Sequence, residues 1–175
     1  MIARHAWALL LAAIPFAIEA GAASNPTSEW ERRVPSPSLD PAVVIRIQVE
    51  ALRANSLLNE GIKLTYSFAS PENRRSTGPL GRFTAMIRSA PYDRLLNHRS
   101  ARYGPLSVTV SKAFQTVTII DKEGDETRYI WVLSRQSHGE FKDCWMTDAV
   151  ISAQNRAPRQ AVRRTGKGTN GWFSI

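Results

Sequence analysis

Asp148, Arg135 and Tyr129 are the residues of this chain whose types and spacing could carry acid/base chemistry. In the segment CWMTDAV, a period of two places Asp148 on one face with Cys144, Met146 and Val150, all apolar or nearly so. A carboxylate held on the inward face of a cavity acquires a raised pKa and can serve as a general base, with Tyr129 or Arg135 beside it. The simpler reading of the same pattern is structural, with Asp148 pairing with Arg135 on the partner strand or accepting backbone hydrogen bonds. Cys144, the only cysteine, reads as a small buried hydrophobe, because the chain holds no second thiol for it to bridge. His98 and His138 stand in unrelated contexts and no spacing suggests a metal site. His138 reads as a solvated loop residue. His98, beside Arg99, reads as a capping or surface residue, with pocket lining as the alternative. Tyr66, Phe68, Phe83, Tyr92, Trp131 and Trp145 form an aromatic set that reads first as core. Of these, Tyr66, Phe83, Trp131 and Trp145, together with His98, are the candidates for lining a ligand cavity. No phosphate loop, nucleophile elbow, dinucleotide fingerprint or nucleic-acid motif occurs, so no cofactor is expected and no specific nucleic-acid partner.

The elements that must position these residues follow from periodicity. Asp40-Pro41 is a helix start, the carboxylate capping free amides and the proline fitting the first turn, and it predicts a helix over 41–54. Residues 59–69 are ambiguous: Ile62, Leu64, Tyr66 and Phe68 alternate as in a strand, and the alternation favours strand over the helical spacing of Ile62, Tyr66 and Ala69. Ser70-Pro71-Glu72 opens a further helical turn, and Pro79 opens another helix with Leu80, Phe83 and Ile87 on one face. The segment APYDRLLNHRS reads as a turn with a short helical piece. From Gly104 the pattern alternates, predicting strands near 106–110, 113–121, 126–135 and 143–151. Residues 129–151 read as a long antiparallel hairpin broken at SHGEFKD. Helices followed by a meander give an α+β fold.

The ends read differently from the middle. Residues 1–23 carry Arg4, the apolar stretch AWALLLAAIPFAI and the small residues of EAGAAS, which is the pattern of a secretory signal peptide, so export to a periplasm or the exterior is expected. The apolar stretch is too short to span a bilayer. Residues 24–39, with Pro26, Pro35 and Pro37, read as a disordered linker, and 40–151 as the domain. The net charge of +8 is concentrated in residues 152–175, where Arg156, Arg159, Arg163, Arg164 and Lys167 stand without an acid. That segment reads as a basic disordered tail, and the domain itself as only mildly basic.

The segments LTYSFASPENR, PLGRFTAMIRSAPYDRLLNHRSA, WVLSRQ and CWMTDAV resemble a family of mostly bacterial, often exported proteins described as a domain of unknown function. That family is similar to the nuclear transport factor 2-like, or SnoaL-like, superfamily. The resemblance implies N-terminal helices packed on a curved antiparallel sheet that wraps around them as a cone (cystatin-like), and a helix rather than a strand at 59–69. It carries no catalytic residues. Ala149 stands where the family pattern leads one to expect glycine after the aspartate. The functional expectation is an exported binding module for a small molecule or a protein, not an enzyme. The alternatives are an isomerase or lyase with an acid/base carboxylate in the cone, and a structural domain that dimerises through its sheet face.

Overall fold

The computed structural model describes residues 33–153. The expected signal peptide, most of the expected linker and the tail beyond residue 153 lie outside the described residues. Helix α1 (Pro41–Arg53) begins where Asp40-Pro41 predicts. Asp40 takes the extended N-cap conformation, but its carboxylate makes no capping hydrogen bond, so the start rests on the proline. The helix buries Val44, Ile45, Ile47, Val49 and Leu52 against the rest of the molecule.

Residues Glu60–Ser67 form helix α2, as the family resemblance implies and against the alternation of Ile62, Leu64, Tyr66 and Phe68. Close packing on α1 overrides the pattern. A Cβ on Gly61 would lie 1.9 Å from the Ala51 carbonyl oxygen, so only glycine permits this approach. Asn55 Oδ1 accepts from the Ile62 amide at 3.1 Å at the start of the helix. The residues it buries, Gly61, Ile62, Leu64 and Thr65, with Phe68 and Ala69 just beyond, lie at helical spacing on one face; Gly61 and Thr65 carry no apolar signal, so the alternation of the remaining residues resembles a strand. Helix α3 (Pro71–Thr77) starts with the Ser70 hydroxyl accepting from the Asn73 amide at 3.2 Å. Helix α4 (Leu80–Ile87) buries Phe83 and Ile87, and a 3-10 turn spans Asp93–Leu95.

Four strands follow: β1 (Ser100–Val108), β2 (Lys112–Ile120), β3 (Glu126–Arg135) and β4 (Trp145–Ala153). They form one antiparallel meander in the order β1-β2-β3-β4. The protein is therefore α+β. β1 begins six residues before the 106–110 expected from alternation, because a register irregularity at Gly104-Pro105 interrupts the pattern.

One sheet face carries Ala113, Val117, Ile119, Tyr129, Trp131 and Leu133, all essentially inaccessible, and packs with α1, α2 and α4 into a single core. Burying a large apolar side chain contributes about 1.5–3 kcal/mol, so this face supplies most of what holds the helices to the sheet. The outer face carries Phe114 and Ile151, about half exposed, among charged side chains.

Candidate functional site

The site is set by an irregularity in β4. Opposite β3, Leu133 pairs with Thr147 but Val132 pairs with Ala149, leaving Asp148 as the extra residue of a bulge. The bulge resets the alternation. Thr147 before it and Val150 after it both lie on the helix side, opposite Leu133 and Trp131. Asp148 therefore parts company with Val150, and its side chain takes the outer face. There Lys112 Nζ donates to Oδ2 at 2.9 Å and Ser134 Oγ donates to Oδ1 at 2.8 Å. Its ion-pair partner is Lys112, not Arg135. Ala149 occupies the bulge without a positive φ, so this spot has no need of glycine.

Thr147 is anchored on all sides. Its amide donates to the Phe68 carbonyl at 2.8 Å, and its own carbonyl accepts from the Ser70 amide at 2.8 Å and from Asn73 Nδ2 at 3.0 Å. Its hydroxyl accepts from Gln48 Nε2 at 2.7 Å. Beyond the bulge the contacts thin out. The Val150 carbonyl accepts from the Tyr92 hydroxyl at 3.0 Å, which marks Val150 as a residue whose backbone faces the free edge of the sheet. Its N–H points the same way and finds no acceptor among the described residues.

Between this half of β4 and the helices lies a cavity of about 250 Å³. Phe83, Met86 and Ile87 of α4, Leu52 of α1, and Tyr92, Trp131 and Val150 make it predominantly apolar. Glu72 and Ser76, both exposed on α3, stand at its rim, so it opens to solvent as a groove. Trp131 is wholly buried at the floor, and its indole Nε1 has no hydrogen-bond partner among the described residues. Its ring meets Tyr129 edge-on at 6.2 Å.

Residues 40–160 match the family model described as a domain of unknown function, DUF4864. The chain belongs to this family. No curated protein and no solved structure matches it.

The DUF4864 domain brings together only some of the residues singled out in its sequence. Phe83 and Trp131 line the groove. Tyr66 does not, but its ring lies 5.0 Å from that of Phe83 and is covered on another side by the Arg74 guanidinium at 5.6 Å. Trp145 is half-buried at the core's edge, opposite Arg135. His98 is buried away from the groove: Nδ1 donates to the Leu95 carbonyl at 2.8 Å, Nε2 has no partner, and burial lowers its pKa despite that bond and nearby Glu50. Tyr129 donates to the Pro91 carbonyl at 2.5 Å, and burial raises its pKa well above that of a free phenol. Arg135 pairs with Asp143 at 3.5 Å. Six residues separate Tyr129 from Arg135 along β3, about 20 Å at the rise of a strand. Asp148, Arg135 and Tyr129 thus face three different partners and do not converge on one reacting centre. The Cys144 thiol is buried, which raises its pKa, with the Asp143 charge acting in the same direction. Among the described residues no group of three His, Cys, Asp or Glu side chains is placed to hold a metal ion, and no helix is long and apolar enough to cross a membrane.

Gln48, Asn73 and Val150 were not legible as site residues. Gln48 left one signal: a polar residue on the buried side of α1, one turn after Val44.

Proposed function

We propose that this protein is an exported binding module that takes a small apolar molecule in the groove between α3, α4 and β4. The observation that carries this reading is the groove itself. It is larger than the roughly 150 Å³ engineered cavity that accepts benzene, and it has an apolar floor with a polar rim. A ligand of one or two fused rings fits that volume. The nuclear transport factor 2-like cone is the architecture we propose for the family, supported by helices gathered on one face of a bulged antiparallel meander. Export is proposed from the pattern of residues 1–23 alone. N-terminal sequencing of the mature protein tests it; a start near residue 23 is expected, and a start at Met1 contradicts it.

Binding is tested by titrating isotope-labelled protein with tetralin, a neutral bicyclic hydrocarbon, and following methyl resonances. Shifts confined to Leu52, Met86, Ile87 and Val150 are expected. Saturating tetralin without such shifts, or with shifts spread over the outer sheet face, contradicts the reading.

One observation favours a second reading. Phe114 and Ile151 leave apolar surface on the outer sheet face, which suits pairing of two copies. Sedimentation velocity tests this: a dimer that Phe114→Glu dissociates supports assembly, and a monomer at all concentrations removes it.

A further inference from the structure

The lining of the groove also bears on the chemistry of what it holds, and this inference rests on the small-molecule reading above. The lining includes no lysine, arginine or histidine. Its two charged residues are carboxylates that are already paired: Glu72 at the rim with Arg75, and Asp148, whose side chain lies on the outer face with Lys112. An anionic ligand would therefore lose its hydration without gaining a cationic partner, which is a large penalty in an apolar site.

The unmet hydrogen-bonding capacity has the opposite sign. Val150 and Trp131 are direct cross-strand partners, and both line the groove. Each brings a donor without an acceptor among the described residues: the edge-facing N–H of Val150 and the buried indole N–H of Trp131. The other donors nearby are engaged, Asn73 Nδ2 with the Thr147 carbonyl and the Tyr92 hydroxyl with Val150. The indole N–H is buried, where a donor without a partner is uncommon, and the Val150 N–H lies on the half-buried edge opposite it, so the pair marks the place where an acceptor fits. The indole has no surface open to solvent, so the Val150 N–H is the donor a ligand meets first.

We infer that the groove selects uncharged, mainly apolar molecules that carry a hydrogen-bond acceptor such as a ketone, ester or lactone carbonyl, seated at the Val150–Trp131 pair, and rejects carboxylates of the same size. Three probes share one bicyclic frame and separate the possibilities: tetralin, 1-tetralone and tetralin-1-carboxylate. Affinities are measured by NMR titration at neutral pH, with the Val150 amide and Trp131 indole resonances as reporters. The neutral ketone is expected to bind roughly three- to tenfold tighter than tetralin, the effect of one net hydrogen bond. It should move one or both reporters downfield, and the carboxylate should bind at least about tenfold more weakly than the ketone. Trp131→Phe retains an aromatic floor; if the indole is the donor used, this variant loses the preference while still binding tetralin, and if Val150 is, the preference persists with the Val150 amide shift. Tetralin and 1-tetralone binding equally to the native protein, or the carboxylate binding tightest, overturns the inference and leaves the groove reading intact. No shift with any of the three removes the groove reading, and the inference falls with it.

Discussion

Before the bulge in β4, Thr147 is tied by backbone and side chain to α1, to the α2–α3 connection and to α3. After it, Val150 keeps a single hydroxyl contact on its free edge and borders an open groove. Two positions of one strand, three residues apart, thus have opposite roles. The bulge is what separates them. Without the extra residue the alternation would carry Ala149 inward and turn Val150 out; with it, Val150 joins Trp131 at the floor of the groove. One half of the strand fixes the sheet to the helices, and the other is left with unspent donors.

If that division is correct, substitutions on the two sides should separate stability from ligand affinity. The largest effect is expected at the floor, where Trp131→Ala should cost about 3–5 kcal/mol in chemical denaturation, because the removed ring fills the centre of the core. A loss below about 1 kcal/mol would mean that the indole is not a packing element. Thr147→Val should cost about 1–3 kcal/mol by leaving the buried Gln48 amide only its bond to the Val44 carbonyl, yet leave tetralin affinity within about twofold. If it lowers affinity as much as stability, the two halves of β4 are not separate.

His98 tests the same separation through pH. Burial lowers its folded pKa below the ordinary 6.5, so the unfolded chain takes up the proton first. Its share of stability is complete above about pH 6.5 and is lost as pH falls below that value, until the folded imidazole protonates as well. His98→Gln should flatten this dependence in denaturation curves measured from pH 7.5 downward, and tetralin affinity should not follow it. The smallest effect belongs to Asp148. Its bond to Lys112 is partly solvated, so Asp148→Asn should change stability by at most about 1 kcal/mol and leave binding unchanged. A large loss of binding would restore Asp148 to the site.

Much of the fold could be read from the chain. The proline starts at 41 and 71, the helix carrying Phe83 and Ile87, and the hairpin of β3 and β4 all follow from local chemistry that tertiary packing leaves in force. The alternation in α2 misleads because Gly61 and Thr65, which complete its buried helical face, are not apolar by type, and the close approach of Gly61 to α1 is a tertiary contact that no local pattern announces. β1 began unrecognised because Gly104-Pro105 breaks its alternation. The site was legible only in part. Phe83 and Trp131 are aromatic and stand out, whereas the role of Val150 depends on a bulge that no residue type announces, and strict alternation in CWMTDAV put Asp148 and Val150 on one face.

The most direct test of the central claim is a crystal structure of the protein grown with saturating 1-tetralone. The bicyclic ring is expected between α3, α4 and β4, with its carbonyl oxygen about 3 Å from the Val150 amide or the Trp131 indole nitrogen. A groove without ligand at saturation, or a ring lodged on the outer sheet face, would contradict it.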